Sequence, residues 1–460
     1  GCRVLGSEAV LLKGGVVVTM DSSRRVIQDG AVAFEDGKIT FVGKSQDVER
    51  TSRFDKVLDV RGRFVMPGLV CAHTHLYGIA LRGASLKIKP TSDFLENLQR
   101  IWWPLDENMN NEDAYATALA ACMEMALNGT TAFADTYSAP ARPENSLDAI
   151  AKAVNEVGVR GVVSFEATER RSVDEGRRGL EENIRFLASG GSGLAKGMIS
   201  LHASFTVSDD LIARGVEAAK KHNAPITIHV SEGPNDLYHN IERYGKRTVE
   251  RLHDLGLLGE NAVLAHCVHL NSREISLLAS TGTRVAHNPM SNMLNAVGVM
   301  KLPEMLEAGV SVGLGNDGYV FDGFENMRAA FLIHRVDRRN PSIISPEKVV
   351  EMATVVAAKA YGLNEIGSLE VGKKADVIVL KPEVTATPLN RNVYGYLVNG
   401  IRGADVEHVF VNGRQVIEGR KFKTLDKEQA EQKILKTIER LWDRLGESPS
   451  EAVEPLRVVR

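Results

Sequence analysis

The stretch VMPGLVCAHTHLYG, residues 65–78, carries two histidines at the end of an apolar run. Successive side chains of a β-strand point to opposite faces, so residues two positions apart share a face. If the run is a strand, His73 and His75 face the same way and can bind one metal ion together. Two nearby histidines can also be solvated or held by ordinary hydrogen bonds, so the spacing alone leaves both interpretations open.

The composition of the 460-residue chain is that of a globular protein, with 43% hydrophobic and 25% charged residues. Its 56 basic and 59 acidic residues give a formal net charge of −3, which argues against nucleic-acid partners and a polybasic membrane surface. No apolar run approaches the ~18–20 residues of a membrane span. The four cysteines form no C-x-x-C pair. We therefore expect a cytoplasmic protein with reduced thiols.

The pattern of apolar runs divides the chain into four parts. Residues 1–67 contain β-branched runs separated by turn residues, with an Asp-Gly hairpin signal at 36–37. Residues 68–371 alternate short apolar runs with longer helical patterns, as repeated βα units do. Strand-like runs return in residues 372–425, and residues 426–460 are predicted to form a helix followed by a tail.

Eight apolar runs in the second part are candidate strands. Their sequences are FVMPGLVCAH, GTTAFADTY, VRGVVSFEA, GMISLHASF, APITIHVSE, NAVLAHCVHL, GTRVAHNP and VSVGLGNDG. Eight strands with intervening helices over about 300 residues predict an α/β fold, a (β/α)8 TIM-like barrel. We expect both chain ends to meet in one small β-sandwich domain beside this barrel.

Two predicted helices bear on how the parts pack together. The first lies in NEDAYATALAACMEMALNG, with Asn111 as its cap and Gly129 at its end. The second covers residues 425–445, and its apolar stripe should pack on the body of the protein or on a neighbouring subunit. The stripe consists of Ile434, Ile438, Leu441 and Leu445.

Polar side chains recur at the carboxyl ends of the candidate strands, where a barrel of this type places its chemistry. In strand order they are His73, His75, His202, His229, Glu232, His266, His287 and Asp317. Burying so many imidazoles and carboxylates is costly unless each is paired or bound. A shared metal ion would supply that compensation.

Four of these residues are the predicted metal ligands: His73, His75, His229 and Asp317. Three neutral imidazoles and one carboxylate suit Zn²⁺ and also Fe²⁺. Taken singly, His229 can be a core histidine and Asp317 can cap the next segment. A closed barrel, however, brings strands one, five and eight to one mouth, which favours a common site.

Glu232 follows the third predicted ligand by three residues and would leave its strand just above the metal. We predict that it shuttles a proton and that Asp317 takes the first proton from an attacking water. His266 could orient this water or polarise the substituent on the attacked carbon. The alternative for Glu232 is a solvated loop carboxylate.

Five motifs together resemble the amidohydrolase superfamily: PGLVCAHTH, HVSE, AHCVH, AHNPMSN and GLGNDG. Within it, the chain resembles the aminohydrolase branch that contains chlorotriazine hydrolases, guanine deaminases and adenosylhomocysteine deaminases. The resemblance covers nearly the whole chain, including the return segment GSLEVGKKADVIVL. Two further stretches, HVSEGPNDLYHNIERYGKRTVERL and GNDGYVFDGFENM, are similar to a subgroup of aminohydrolases linked to selenium metabolism.

The resemblance implies the same roles, residue by residue. The implied metal ligands are His73, His75, His229 and Asp317, the implied acid/base residue is Glu232, and the matching strand-six histidine is His266. The branch usually holds one metal ion, and strand four here has no lysine that could bridge a second. It carries His202 instead, which is a candidate substrate contact. Further candidates are Arg82, Glu96 and Asn288.

The sequence departs from the branch at two places. Asn316 precedes Asp317 where threonine or serine is common. Adenosylhomocysteine deaminases have a tryptophan in the segment after strand one, whereas this chain has Glu96 and Asn97 there and two tryptophans further on. This second difference argues against a nucleoside substrate.

Three hypotheses for the function follow. The leading one is a metal-dependent hydrolytic deaminase that releases ammonia from a nitrogen heterocycle, such as a purine, pterin or pyrimidine, with one divalent metal ion per chain. The second keeps the metal site but hydrolyses a cyclic amide or a carbon–halogen bond. The third is a non-catalytic, metal-stabilised barrel that binds a partner or ligand. We also expect a homo-oligomer, dimeric or larger.

Overall fold

Eighteen strands form two sheets in the described residues, 8–84 and 88–447, of a computed structural model. In chain order they are β1 (Val10–Val18), β2 (Val26–Glu35), β3 (Lys38–Lys44), β4 (Lys56–Asp59), β5 (Phe64–Pro67), β6 (Leu69–Thr74), β7 (Thr130–Tyr137), β8 (Arg160–Ala167), β9 (Ala195–Gly197), β10 (Ile199–Ala203), β11 (Ile226–Val230), β12 (Ala262–His266), β13 (Arg284–His287), β14 (Val312–Leu314), β15 (Val377–Leu380), β16 (Val406–Val411), β17 (Arg414–Glu418) and β18 (Lys421–Phe422).

Sixteen α-helices connect or cover these strands in the same described part of the chain. They are α1 (Phe94–Asn97), α2 (Trp103–Asn108), α3 (Asn111–Leu127), α4 (Ser146–Val157), α5 (Val173–Ala188), α6 (Asp209–Lys221), α7 (Pro234–Tyr244), α8 (Thr248–Asp254), α9 (Ser272–Thr281), α10 (Pro289–Leu294), α11 (Leu302–Glu307), α12 (Gly323–Arg338), α13 (Pro346–Met352), α14 (Val355–Ala360), α15 (Val393–Asn399) and α16 (Lys427–Glu447). A π-helical turn, Leu98–Trp102, joins α1 to α2. None of the helices in this part combines the length and apolarity that crossing a bilayer requires.

The first sheet is a parallel barrel. Its strands follow the order β6-β7-β8-β10-β11-β12-β13-β14, and β9 pairs with β8 at the side. The two ends of the sheet meet where Thr74 forms a parallel bridge with Asp317, and the Thr74 hydroxyl donates to the Asp317 carbonyl oxygen at 2.9 Å. All eight predicted strands are present, so the prediction of a TIM-like barrel is confirmed.

The second sheet combines strands from both chain ends, in the order β18-β17-β16-β15-β5-β1-β2-β3, with β4 beside β1. Its hairpins turn at Asp36 and Asn412, which have positive φ angles and precede glycines, as tight hairpins require. The predicted β domain from both ends is therefore confirmed. A buried ion pair joins the two sheets: the Arg160 guanidinium donates to the Asp376 carboxylate at 3.0 and 3.1 Å.

The carboxyl-terminal helix α16 packs against α3, as the apolar stripe predicted. Leu441 is fully buried, and the Trp442 indole donates to the Ala80 carbonyl oxygen at 2.7 Å. This contact ties α16 to the turn that follows the β6 histidines. The predicted tail lies largely in residues 448–460, outside the described residues.

The amino terminus of α3 corrects one prediction. The helix cap is Asn110, not Asn111, because Asn110 has the extended backbone of a cap and accepts a hydrogen bond from the Asp113 amide. The Asp113 carboxylate in turn accepts from the Asn110 amide, which completes a capping box. Asn110 and Asn111 are adjacent and either could cap a helix, so the predicted cap was one residue too late.

Candidate active site

The four predicted metal ligands lie together at the carboxyl mouth of the barrel. His75 Nε2 lies 2.9 Å from Asp317 Oδ1 and 3.2 Å from His229 Nε2. His73 Nε2 lies 3.5 Å from the same aspartate oxygen. All four residues are buried. They meet because alternate residues of β6 face inward and because the ends of neighbouring strands in a barrel converge.

The donor atoms of this cluster fit a divalent cation. His73 Nε2 is buried and has no hydrogen-bond partner among the described residues, an arrangement that is costly without a ligand. The triads His73–His75–Asp317 and His73–His229–His266 each bring their ligand atoms within 4.8 Å of one another. Imidazole nitrogens with a carboxylate oxygen are the ligands that Zn²⁺ and Fe²⁺ take.

The cluster also has the charge distribution of a cation site. Burial lowers the pKa of His73 and, together with the neighbouring imidazoles, holds the pKa of His229 well below its usual range. Burial would raise the pKa of Asp317, but His75 and the other histidines hold it well below the ordinary value. Burial would lower the pKa of His75, but Asp317 and Glu166 raise it to about 10. The site therefore presents two imidazoles that favour the neutral form, and an ionised carboxylate paired with His75, the imidazole that a bound cation would have to deprotonate.

Glu232 and His266 flank the ligand cluster on one side. Glu232 Oε2 lies 3.4 Å from His266 Nε2, which in turn lies 3.6 Å from Asp317 Oδ2. His266 Nδ1 lies 2.8 Å from the Asn292 side-chain oxygen, an acceptor, so Nδ1 carries the proton and the lone pair of neutral Nε2 faces the site. Burial and the nearby Asp317 raise the pKa of Glu232 well above its usual value. This shift favours the protonated form that a proton donor needs.

The backbone at this mouth is unusual in three places. Ser231, His266 and Asp317 have φ angles of 46°, 75° and 54°, in the left-handed region that non-glycine residues seldom adopt. Each lies at the end of a barrel strand and beside or within the ligand cluster. Such conformations concentrate at functional sites.

An open cavity lies beside the cluster. Its apolar wall consists of Tyr77, Phe94, Leu98, Trp102, Trp103 and Phe205. Its polar groups include His75, Asp106, Glu166, His202, His229, Glu232, Asp236, Asn295 and Asp317. An aromatic wall with a few convergent polar groups is typical of a site for a flat heterocyclic ligand.

His202 is the one predicted substrate contact that lines the cavity in the described residues. Arg82 lies outside this lining because its guanidinium pairs with Glu124, at 2.6 and 2.8 Å, on a half-exposed surface. Glu96 is on the exposed side of the α1 turn, where it accepts hydrogen bonds from the Ser92 amide and hydroxyl. The Arg82 guanidinium and the Glu96 carboxylate thus have protein partners outside the cavity.

Asn288 is fully buried but also lies outside the cavity lining. Its amide nitrogen is 3.4 Å from the Ala286 carbonyl oxygen, two residues earlier on β13. A direct contact between Asn288 and substrate is therefore not supported by its position.

Several cavity groups were missed by sequence reasoning. Asp106 accepts hydrogen bonds from the Tyr77 hydroxyl at 2.9 Å and the Ser138 hydroxyl at 3.1 Å. The Arg170 guanidinium lies 3.7 Å from Asp106 and over the Trp103 ring at 4.5 Å. These residues follow three different strands, so no local spacing in the sequence indicates that they meet.

A parallel barrel whose mouth gathers histidines, an aspartate and a glutamate with a raised pKa has the features of a metal-dependent hydrolase. The model of the amidohydrolase family matches residues 64–416 of the chain. Because this match covers well over half of the sequence, the protein belongs to the amidohydrolase family.

Two curated relatives extend this assignment along almost the whole chain. The 5'-deoxyadenosine deaminase of Methanosarcina mazei is 37% identical over 448 residues, covering 95% of this chain and 99% of that protein. The 5-methylthioadenosine/S-adenosylhomocysteine deaminase of Carboxydothermus hydrogenoformans is 33% identical over 428 residues, covering 91% and 95%.

Solved structures share the fold. An adenosine deaminase from Xanthomonas campestris with bound zinc superposes with a TM-score of 0.85 at 24% identity, covering 94% of this chain and 98% of that one. The zinc complex of atrazine chlorohydrolase from Arthrobacter aurescens gives 0.82 at 23% identity, covering 93% and 100%.

The comparisons confirm several predictions made from the sequence. They confirm the superfamily, the barrel with its second sheet, and the class of enzyme, a hydrolytic deaminase acting on carbon–nitrogen bonds. The suggested link to the selenium-related subgroup stays a prediction.

Proposed function

We propose that this protein hydrolytically deaminates the 6-aminopurine ring of an adenosine-type nucleoside, using one Zn²⁺ ion. The observation that carries the proposal is the buried cluster of three imidazoles and Asp317 with Glu232 and His266 beside it. This arrangement supplies a cation site and a proton donor facing one cavity.

The relatives support a nucleoside over the other heterocycles considered. The two curated relatives described above carry the names of deaminases of adenosine-type nucleosides and match the chain almost end to end. The absence of the branch tryptophan near Glu96 argued against such a substrate. In the cavity, however, Trp102 and Trp103 come from later in the same segment and supply an aromatic surface. A nucleoside base can stack on this surface without the branch tryptophan.

The proposed ligands of the ion are His73, His75, His229 and Asp317, with Fe²⁺ as the alternative metal. A bound divalent cation lowers the pKa of water, so that the water attacks as a nucleophile near neutral pH. We expect one ion per chain, because β10 contains His202 and has no lysine that could bridge a second metal ion.

The chain's own residues account for the proton transfers. The water oxygen forms a bond to the ring carbon that carries the amino group, and Asp317 accepts a proton from the attacking water. Glu232 in its protonated form donates to the adjacent ring nitrogen. Asp317 then gives its proton to the amino group, and the proton of the new hydroxyl passes to Glu232 as the carbon–nitrogen bond breaks, which leaves a ring carbonyl, ammonia and both carboxyl groups in their starting states. His266, with Nε2 toward the site, is placed to orient the oxygen.

The direct test is ammonia release by the purified protein, with metal analysis of the same sample. We expect conversion of 5'-deoxyadenosine, methylthioadenosine or adenosine to the corresponding 6-oxopurine nucleoside, followed by ultraviolet absorbance, with about one zinc per chain. Free halide from a chlorotriazine, or a ring-opened acid from a cyclic amide, without ammonia from any purine, would instead support the alternative hydrolase.

We also expect a homo-oligomer in the cytoplasm. The exposed apolar side chains Leu332 and Val336 on α12 are compatible with a subunit contact, and light scattering would measure the mass in solution. A monomer at micromolar concentration would contradict the expectation of a dimer or larger assembly.

A further inference from the structure

Glu166 is a buried carboxylate beside the ligand cluster that the proposed reaction does not use. It lies at the carboxyl end of β8 and is 2% exposed. Its Oε1 atom accepts a hydrogen bond from the Thr136 hydroxyl at 2.9 Å and lies 3.2 Å from His75 Nδ1. Burying a carboxylate this deep in the barrel costs free energy unless the carboxylate is paired or hydrogen-bonded.

Three oxygen atoms surround Nδ1 of His75. They are the Thr136 carbonyl oxygen at 2.9 Å, the Thr136 hydroxyl oxygen at 3.0 Å and Glu166 Oε1 at 3.2 Å. The carbonyl and the carboxylate accept only, and the Thr136 hydroxyl already donates to Glu166. The Nδ1 atom must therefore carry a proton, so a metal ion would bind at Nε2, the ring nitrogen that faces Asp317.

We propose that Glu166 is a positioning residue for His75, holding the ring in the tautomer and orientation that direct Nε2 to the metal and strengthening it as a ligand. This inference rests on the metal site of the proposed function. A carboxylate behind a metal-ligating histidine fixes the tautomer and makes the imidazole a better donor, and losing such a partner typically weakens metal binding 10–100-fold.

His229 does not share this arrangement. His229 Nδ1 lies 2.6 Å from the neutral His202 carbonyl oxygen. Glu166 is 3.9 Å from His229 Nε2, beyond hydrogen-bond distance. Its effect should therefore reach the metal mainly through His75.

The test compares the zinc affinity of the full-length wild-type protein with that of Glu166→Gln, by competition with a chromophoric chelator. The glutamine keeps the shape of the side chain and an acceptor for Thr136 but removes the charge behind His75. The matched control is Asp106→Asn, because Asp106 is another buried cavity carboxylate and no histidine ligand is among its hydrogen-bond or ion-pair partners. We expect a 10–100-fold loss of affinity in E166Q and a change of less than threefold in D106N.

A second readout separates positioning from direct coordination. With Co²⁺ in place of zinc, E166Q should keep the intensity and energy of the visible bands, because the ligand set is unchanged. A changed cobalt spectrum would make Glu166 a ligand and overturn the inference, as would equal losses in E166Q and D106N. If E166Q does not fold, Thr136→Val decides, since it removes the hydroxyl that holds Glu166 and should weaken zinc binding severalfold.

The outcomes also separate this inference from the proposed function. Wild-type protein that binds zinc and deaminates its substrate, with E166Q binding zinc equally well, would refute the role of Glu166 alone. Wild-type protein that binds no divalent metal would refute the proposed site, and this inference with it.

Discussion

Replacing Glu232 by glutamine should remove most of the catalysis while leaving the ligand cluster intact. Glu232 is 8% exposed and faces His266 at 3.4 Å, and glutamine has nearly the same volume, so the packing should survive. The carboxamide cannot deliver a proton to the ring nitrogen. General acid–base catalysis contributes about 10²–10⁴-fold, which corresponds to about 3–5 kcal/mol in the activation free energy. We expect the loss in kcat, with KM changed little.

The assay is steady-state ammonia release from 5'-deoxyadenosine, with zinc content measured for each preparation. Glu242→Gln is the matched control, because Glu242 is an exposed glutamate on α7, the helix that follows Glu232, and should retain activity within about twofold. E232Q activity within fivefold of wild type, at equal zinc content, would refute the proton-transfer role. Loss of zinc from E232Q would instead make Glu232 a metal ligand.

Three further substitutions test a metal ligand, a buried ion pair and the pH dependence of stability. Asp317→Asn should weaken zinc binding at least tenfold in a chelator competition, because it removes the charge that faces two histidines; unchanged affinity would exclude Asp317 as a ligand. Asp376→Asn leaves the buried Arg160 without its charged partner and should lower the free energy of unfolding by about 3–5 kcal/mol; a loss below 1 kcal/mol in urea titrations would show that the pair is unimportant. Burial raises the pKa of Asp106 to about 7, so the folded state binds its proton more tightly than the unfolded state. The contribution of Asp106 to the free energy of unfolding is full at low pH and is lost between about pH 4 and pH 7, by at most about 1.4 kcal/mol per pH unit. Asp106→Asn should remove this contribution to the pH dependence of stability. An identical pH dependence of unfolding in both proteins would contradict the prediction.

The ligand cluster could be predicted from sequence because it depends on two regular features. The alternation of side chains along a strand puts His73 and His75 on one face, and the closure of eight strands brings His229 and Asp317 to the same mouth. Neither feature requires knowledge of loop conformation.

The cavity wall could not be predicted in the same way. Trp102 and Asp106 reach the cavity because the segment after β6 folds back through a π-helical turn, and nothing in the local pattern indicates that path. Arg82 and Glu96 have Glu124 and Ser92 as partners, contacts that the sequence did not indicate, and their contact with substrate stays a prediction. Glu166 could have been noticed, since a lone carboxylate at the end of an apolar barrel strand is the same signal that identified Asp317.

X-ray absorption at the zinc edge of active, full-length protein tests the proposed ligand set directly. Binding by His73, His75, His229 and Asp317 predicts only nitrogen and oxygen neighbours at about 2.0–2.2 Å, with the multiple scattering of three imidazole rings. A sulfur neighbour at about 2.3 Å, or a shell without imidazole scattering, would contradict it.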